Sequence, residues 1–246
     1  MNGLSEHLSK LANLQYFDPQ AFQADNTVSK EVCGFVLSLA LIYNDIKNIQ
    51  LFMEILKKSK PPGIFEERKD WGEYNALLNF IDRLTIGSLH ELFRLIKDNK
   101  GILEDKFFKE VIKSINKDAK KSWQSLVDTS FEKISNNKLA KDLMFIRNKV
   151  SFHYDPKAIY KGYEHFYKNI KEMDKAYISR GKNMPESRFY FADAAAESYM
   201  QSLYGTADMS LFFKSIGDNL QKLNKTIWYI INNFIAQRGF GFKDKR

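Results

Sequence analysis

The chain has a single cysteine, Cys33, among its 246 residues. That excludes an internal disulfide and any zinc site built on cysteines. Cys33 stands in "EVCGFVLSLALIY" and reads as a small buried hydrophobe. Histidine is nearly as scarce, at four. Neither His90 in "SLHELF" nor His165 in "YEHFYK" has a second His or Cys at metal-ligand spacing. Both read as structural or exposed, and His7 as exposed. No phosphate-cradling glycine loop, nucleophile elbow or zinc motif occurs. Long apolar runs are missing too. The most apolar stretch, Val32 to Tyr43, spans about twelve residues and is broken by Gly34 and Ser38, whereas a bilayer needs roughly twenty. "MNGLSEHLSK" shows no basic region followed by an apolar core, so no secretory signal is expected and the chain reads as cytoplasmic. Acidic residues are the minority charge, 30 against 38 basic ones, for a net charge of +8 and a pI near 9.3.

What is present is apolar and aromatic material, at 44% and 14% of the chain. That suffices for one large domain, or a domain with a sizeable extension, with residues 1–246 taken as a single helical domain, and is not a disordered composition. The basic excess favours an anionic partner, with nucleic acid the usual candidate. It is also clustered. Lys222, Lys225, Arg238 and Lys243 lie between Asp218 and Asp244 with no acidic residue among them. Lys106, Lys109, Lys113, Lys117, Lys120 and Lys121 form a second run. Each run also fits a solvated helix face.

Apolar spacing is helical almost throughout, and strict alternation is absent. Helices are expected at about 5–16, 28–59, 71–98, 103–115, 118–135, 138–154, 157–176, 190–204 and 208–236. "KPPGIFEERKDWG" and "SRGKNMPES" interrupt them with proline and glycine. The fold class that follows is all-α, a helical bundle. "RGFGFKDKR", about 238–246, is expected as a flexible or partner-ordered tail. In the last helix Leu220, Leu223, Ile227, Ile230, Ile231 and Phe234 form an apolar stripe, which Trp228, Tyr229 and Ile235 widen. Asp193 and Glu197 fall at i, i+4 on one helix face. Two carboxylates without a histidine are too few ligands for a metal site, so no metal and no cofactor is expected.

The chemistry-bearing stretch is "FIRNKVSFHYDP", residues 145–156. Leu139, Leu143, Ile146 and Val150 form a stripe about 60° wide at ~100° per residue. On the same projection Arg147 lies about 70° to one side of the stripe and His153 about 50° to the other. Both therefore flank a packing surface, where each needs a partner. The stripe itself calls for a facing helix. Pro156 disfavours helix at Asp155 and should end the element near Tyr154.

"RNKVSFH" resembles the R-x(4–6)-H signature of the HEPN superfamily, with Asn148 matching the polar residue that often follows the arginine. The resemblance implies a HEPN-like core with additional helices. It also implies a metal-independent endoribonuclease of the toxin–antitoxin or antiphage kind, with Arg147, Asn148 and His153 as catalytic residues. It further implies a homodimer that joins two motif helices at one cleft, and an antitoxin or regulatory protein partner. One subgroup carries a tyrosine two places after the histidine. Here Tyr154 follows immediately, so that subgroup's nucleotide-modifying chemistry is not implied.

The residue types suit the reaction. Cleaving RNA by 2′-hydroxyl attack needs one proton removed, one supplied, and the phosphorane charge stabilised. Histidine titrates near neutrality and serves either proton role. Arginine stays charged and offers planar donors to the nonbridging oxygens. Lys149 and Tyr154 are candidate substrate contacts. The alternative is a non-catalytic RNA-binding or protein-interaction module, in which the motif is a structural or dimer element.

Overall fold

The computed structural model describes residues 5, 15–62, 69–132, 138–151, 154–168, 178–179, 182, 184 and 187–244. Helix dominates them. In chain order they form β1 (Gln15–Tyr16), a 3₁₀ turn (Pro19–Phe22), α1 (Lys30–Lys58), α2 (Lys69–Asp98), α3 (Lys100–Leu103), α4 (Lys106–Ser114) and α5 (Lys117–Phe131). There follow α6 (Lys138–Ile146), a π turn (Arg147–Ser151), α7 (Pro156–Lys168), β2 (Ile178–Ser179), β3 (Arg188–Phe189), α8 (Tyr190–Gln237) and β4 (Lys243–Asp244). The strands are two-residue antiparallel pairs, β1 with β4 and β2 with β3. This is an all-α helical bundle.

Two boundaries differ from the periodicity. The helix expected over 103–115 is α4, which starts only at Lys106 because the Asp105 carboxylate accepts from the Phe108 N–H at 3.0 Å and caps it, with the short α3 lying before it. The two helices expected at 190–204 and 208–236 are one, α8. The glycine in "LYGTAD" costs only about 1 kcal/mol in a helix interior, and no proline is there to enforce a break. Most of the helix expected at 5–16 lies outside the described residues, and its end is β1.

Packing divides the chain into two compact units. Unit 1 takes Met1–Asn48, Glu91–Asn137 and Gly217–Arg246, and unit 2 takes Ile49–His90 and Lys138–Ile216.

Unit 1 is built on sealed apolar side chains. Val32, Phe35, Val36 and Leu39 of α1 are buried with Phe108 and Val111 of α4, Trp123 and Leu126 of α5, and Leu223, Ile227, Ile230 and Phe234 of α8. Cys33 is buried among them. Phe108 meets Phe35 and Trp123 edge-on, at centroid distances of 5.5 and 5.9 Å. Phe234 stacks on Phe22 at 5.0 Å. Burying each such side chain stabilises by ~1.5–3 kcal/mol. Of the residues expected to widen the α8 stripe, Ile235 is buried, whereas Trp228 and Tyr229 are exposed. By length and composition α1 is apolar enough to cross a membrane, with 33% of its most apolar window buried within the protein.

The segment 238–244, expected as a flexible or partner-ordered tail, is tied back onto the chain. Gly239 adopts φ +81°, with its N–H donating to the Ala236 carbonyl and the Phe240 N–H to the Ile235 carbonyl. This is a Schellman cap, which needs a left-handed residue and so favours glycine. The chain then reverses, and Lys243–Asp244 pairs with Gln15–Tyr16. Arg238 bonds to Asp25 at 2.6 Å and to the carbonyls of Ala21 and Gln23, with its side chain only 6% exposed. It is a strut of unit 1 and not part of a basic surface.

Unit 2 packs Tyr74, Ile81, Ile86 and Leu89 of α2 with Leu143 and Ile146 of α6 and Ala195, Ala196, Tyr199 and Met200 of α8. Polar groups thread through it. Arg188 donates to Glu73 at 2.8 Å and to Asp193 at 2.9 Å, and Asn79 donates to Glu197 at 2.8 Å. Asp193 and Glu197 do lie one turn apart on α8, but they are spent on different partners. Among the described residues no three His, Cys, Asp or Glu side chains form a group able to hold a metal. Burial and the nearby Glu197 push the Asp82 carboxyl up to about 6, against the opposing pull of Lys57.

Candidate active site

The site begins with the apolar stripe of α6. Leu143, Ile146 and Val150 have no exposed surface in the single chain. The protomer itself covers these three, whereas Leu139 at the start of the stripe is half-buried.

Regular α geometry stops at Ile146, and Arg147–Ser151 forms a π turn. Such a turn closes i→i+5 hydrogen bonds and fits an extra residue into the helix, and π turns recur at functional sites. With more residues per turn, the ~100° projection no longer holds beyond Ile146. Val150 is held in the core while Asn148 is exposed and Arg147 half-buried. The Arg147 guanidinium donates to Asn148 Oδ1 at 3.0 Å. The amide thus orients the fork, a geometry suited to presenting donors to a phosphate.

Lys149 and Asp155 close the segment. The Lys149 ammonium donates to Asp155 Oδ2, and the Asp155 N–H donates to the Lys149 carbonyl at 3.0 Å. Asp155 Oδ1 accepts from the Lys157 N–H at 2.9 Å, which makes Asp155 the N-cap of α7 with Pro156 at the first helical position. One carboxylate therefore ties the end of the motif to the start of the next helix. Its hydrogen bond with Lys149 holds the Asp155 carboxyl below the usual carboxylate range, and the same bond raises the Lys149 ammonium. Lys149 is a structural clasp as well as a candidate substrate contact. Tyr154 is 73% exposed. His153 lies outside the described residues.

Sequence reasoning missed two residues that support this turn. Tyr199 of α8 stacks on Phe145 at 6.4 Å and 19°. Burial raises its phenol, and it feels both Lys149 and Asp155. Gly162 of α7 is the other: a Cβ there would collide with the Ala195 carbonyl and come within 2.9 Å of the Tyr199 backbone nitrogen. Only glycine lets α7 approach α8 so closely. The visible signal was a lone glycine inside the helical pattern "YKGYEHF". His165 Nδ1 lies 2.9 Å from Ser198 Oγ, a structural contact. His90 is half-buried, and His7 lies outside the described residues.

Within unit 1, a groove of about 540 Å³ is lined by Lys100, Phe108, Lys109, Lys113, Trp123 and Phe131 among others. Lys109 and Lys113 come from the expected basic run, but Lys109 pairs with Glu104 and Lys113 with Glu110, each at 2.6 Å. Lys222, from the other run, donates to Ser125 Oγ at 2.9 Å. Comparison with family models, with curated proteins and with solved structures returns no match.

Proposed function

We propose that the chain is a HEPN-like, metal-independent endoribonuclease of a toxin–antitoxin or antiphage kind, acting in the cytoplasm and as a homodimer. The observation that carries this reading is the π turn, which holds Arg147 against Asn148 at 3.0 Å on a segment anchored by buried Val150. In this reading Arg147 stabilises the phosphorane charge and Asn148 orients the guanidinium. His153, one residue before exposed Tyr154, moves the proton to or from the reacting oxygens. The products carry 2′,3′-cyclic phosphate and 5′-hydroxyl ends. Incubating the purified protein with mixed RNAs, with and without chelator, tests it. Chelator-insensitive cleavage leaving cyclic phosphates supports the reading, and intact RNA or a strict magnesium requirement overturns it.

The second reading is a non-catalytic RNA-binding or protein-interaction module. It is favoured by the pairing of Lys149 with Asp155, which spends a motif cation inside the protein. Under that reading RNA binds but stays uncut, and an antitoxin-like or regulatory protein partner has no activity to restrain.

A further inference from the structure

Helix α7 exposes far more aromatic surface than a short packed helix needs. Tyr160 is 62% exposed and Tyr163 37% exposed, and the Tyr163 ring lies 4.5 Å from that of Tyr167. At ~100° per residue these three tyrosines fall within an arc of about 60°. The arc points about 150° away from the seam formed by Ala158 and Gly162. The seam is buried, with Gly162 against Ala195 and Tyr199. Tyr160 and Tyr163 are thus exposed on the outer face, with the half-buried Tyr167 beside them.

The stripe has a charged flank. Lys157 and Lys161 are exposed on one side of it, with Glu164 on the same side and nearer the rings, which leaves that flank net positive. Exposed Tyr154 precedes the helix directly, at 73% exposure. Asp155 then ties this helix start to Lys149 on the motif turn. Along the axis the tyrosines rise by ~4.5 and ~6 Å, at 1.5 Å per residue. These are backbone rises, and the Tyr163 and Tyr167 rings themselves lie 4.5 Å apart and tilted by 39°. Exposed rings beside cations are what single-stranded nucleic acid binding uses. Every base offers a π face, and the cations follow the phosphates. Stacked duplex offers no such faces.

We propose that Tyr160, Tyr163 and Tyr167, with Lys157 and Lys161, form a stacking platform for single-stranded RNA that leads the strand to the Arg147 turn. The inference rests on the ribonuclease reading for its choice of RNA, and it is tested by binding and not by cleavage.

The probe is a fluorescein-labelled 12-nucleotide oligouridylate, read by anisotropy on the full chain in chelator. The controls are the same strand without bases and an RNA duplex. Tyr160→Ala/Tyr163→Ala should weaken oligouridylate binding by roughly 10- to 100-fold, with the salt slope unchanged. Lys157→Ala/Lys161→Ala should instead flatten the log–log salt slope by about 0.7 per lost phosphate contact. The baseless strand should bind wild type no better than oligouridylate binds the tyrosine variant. Melting curves that match wild type show that these exposed truncations leave the fold intact. Equal binding of based and baseless strands overturns the platform. So does a tyrosine variant that binds as wild type, or one that turns a dimer into a monomer without losing RNA. Tyrosine-dependent binding without cleavage keeps the platform and sinks the nuclease. Cleavage that ignores the tyrosines does the reverse.

Discussion

The two units mix apolar and polar burial in different proportions. Unit 1 closes over rings and aliphatic chains, among them Phe108, Phe234, Leu39 and Leu126. Unit 2 carries Arg188 between Glu73 and Asp193, Asn79 on Glu197, and a carboxyl at Asp82 raised by burial. Apolar burial stabilises without regard to direction, whereas a buried polar group costs free energy unless its partners stand in fixed places. The difference is one of degree, since unit 1 also buries the charged strut Arg238 and unit 2 also seals Leu143, Ile146 and Val150. The motif turn belongs to unit 2, where Asp155, Tyr199 and Gly162 hold it.

Four substitutions sharpen or break that contrast. The largest effect is expected from Val150→Lys. Val150 has no exposed surface in the single chain, and an unpaired charge there should cost on the order of 4 kcal/mol or more. Unfolding seen by circular dichroism is the expected outcome. A folded protein that only changes its sedimentation coefficient would return Val150 to an interface. Next is Phe108→Ala in unit 1. It should cost ~3–5 kcal/mol in denaturant titration, by nearly the same amount at every pH, because no titrating group is involved.

Asp82→Asn in unit 2 should act in the opposite direction. The folded carboxyl titrates near 6 while its ordinary value is 3.8. Between those values the native state keeps a proton that the unfolded chain has released, so stability falls as pH rises through the window. The amide removes that cost. At pH 7.5 it should gain on the order of 1–3 kcal/mol, shrinking to nothing near pH 4. A pH-independent difference would contradict the burial of Asp82. The smallest effect is expected for Asp155→Ala, which loses a half-buried cap and ion pair. Because the folded carboxyl is lowered, its contribution is present above the ordinary value of 3.8 and fades as pH falls through the lowered one. Thermal melts should show a modest loss at neutral pH that vanishes in acid.

Much of this was legible in the sequence, for reasons that also explain the failures. Helices with strong apolar spacing, such as α1 and α2, were found within two residues because burial imposes the 3.6-residue period. Asp105 was overlooked as a cap, and the gap left between 190–204 and 208–236 is helical. The π turn was invisible because Leu143, Ile146 and Val150 keep the same spacing whether the turn is regular or wide. The tail failed on Arg238, whose partners Asp25, Ala21 and Gln23 lie at the other end of the chain. Tyr199 failed likewise, since its contacts with Phe145 and α7 are tertiary. At the site, the Arg147–Asn148 pair was expected and is hydrogen-bonded, whereas Lys149 was read as a ligand contact and is also a clasp.

The most direct test compares cleavage rate and melting temperature for Arg147→Ala and His153→Ala beside wild type, on one RNA in chelator. Catalytic roles predict that wild type cleaves and that each variant loses ~10²–10⁴-fold in rate, with melting almost unchanged. Variants that cleave at the wild-type rate, or that lose activity only because they melt early, would contradict a catalytic π turn.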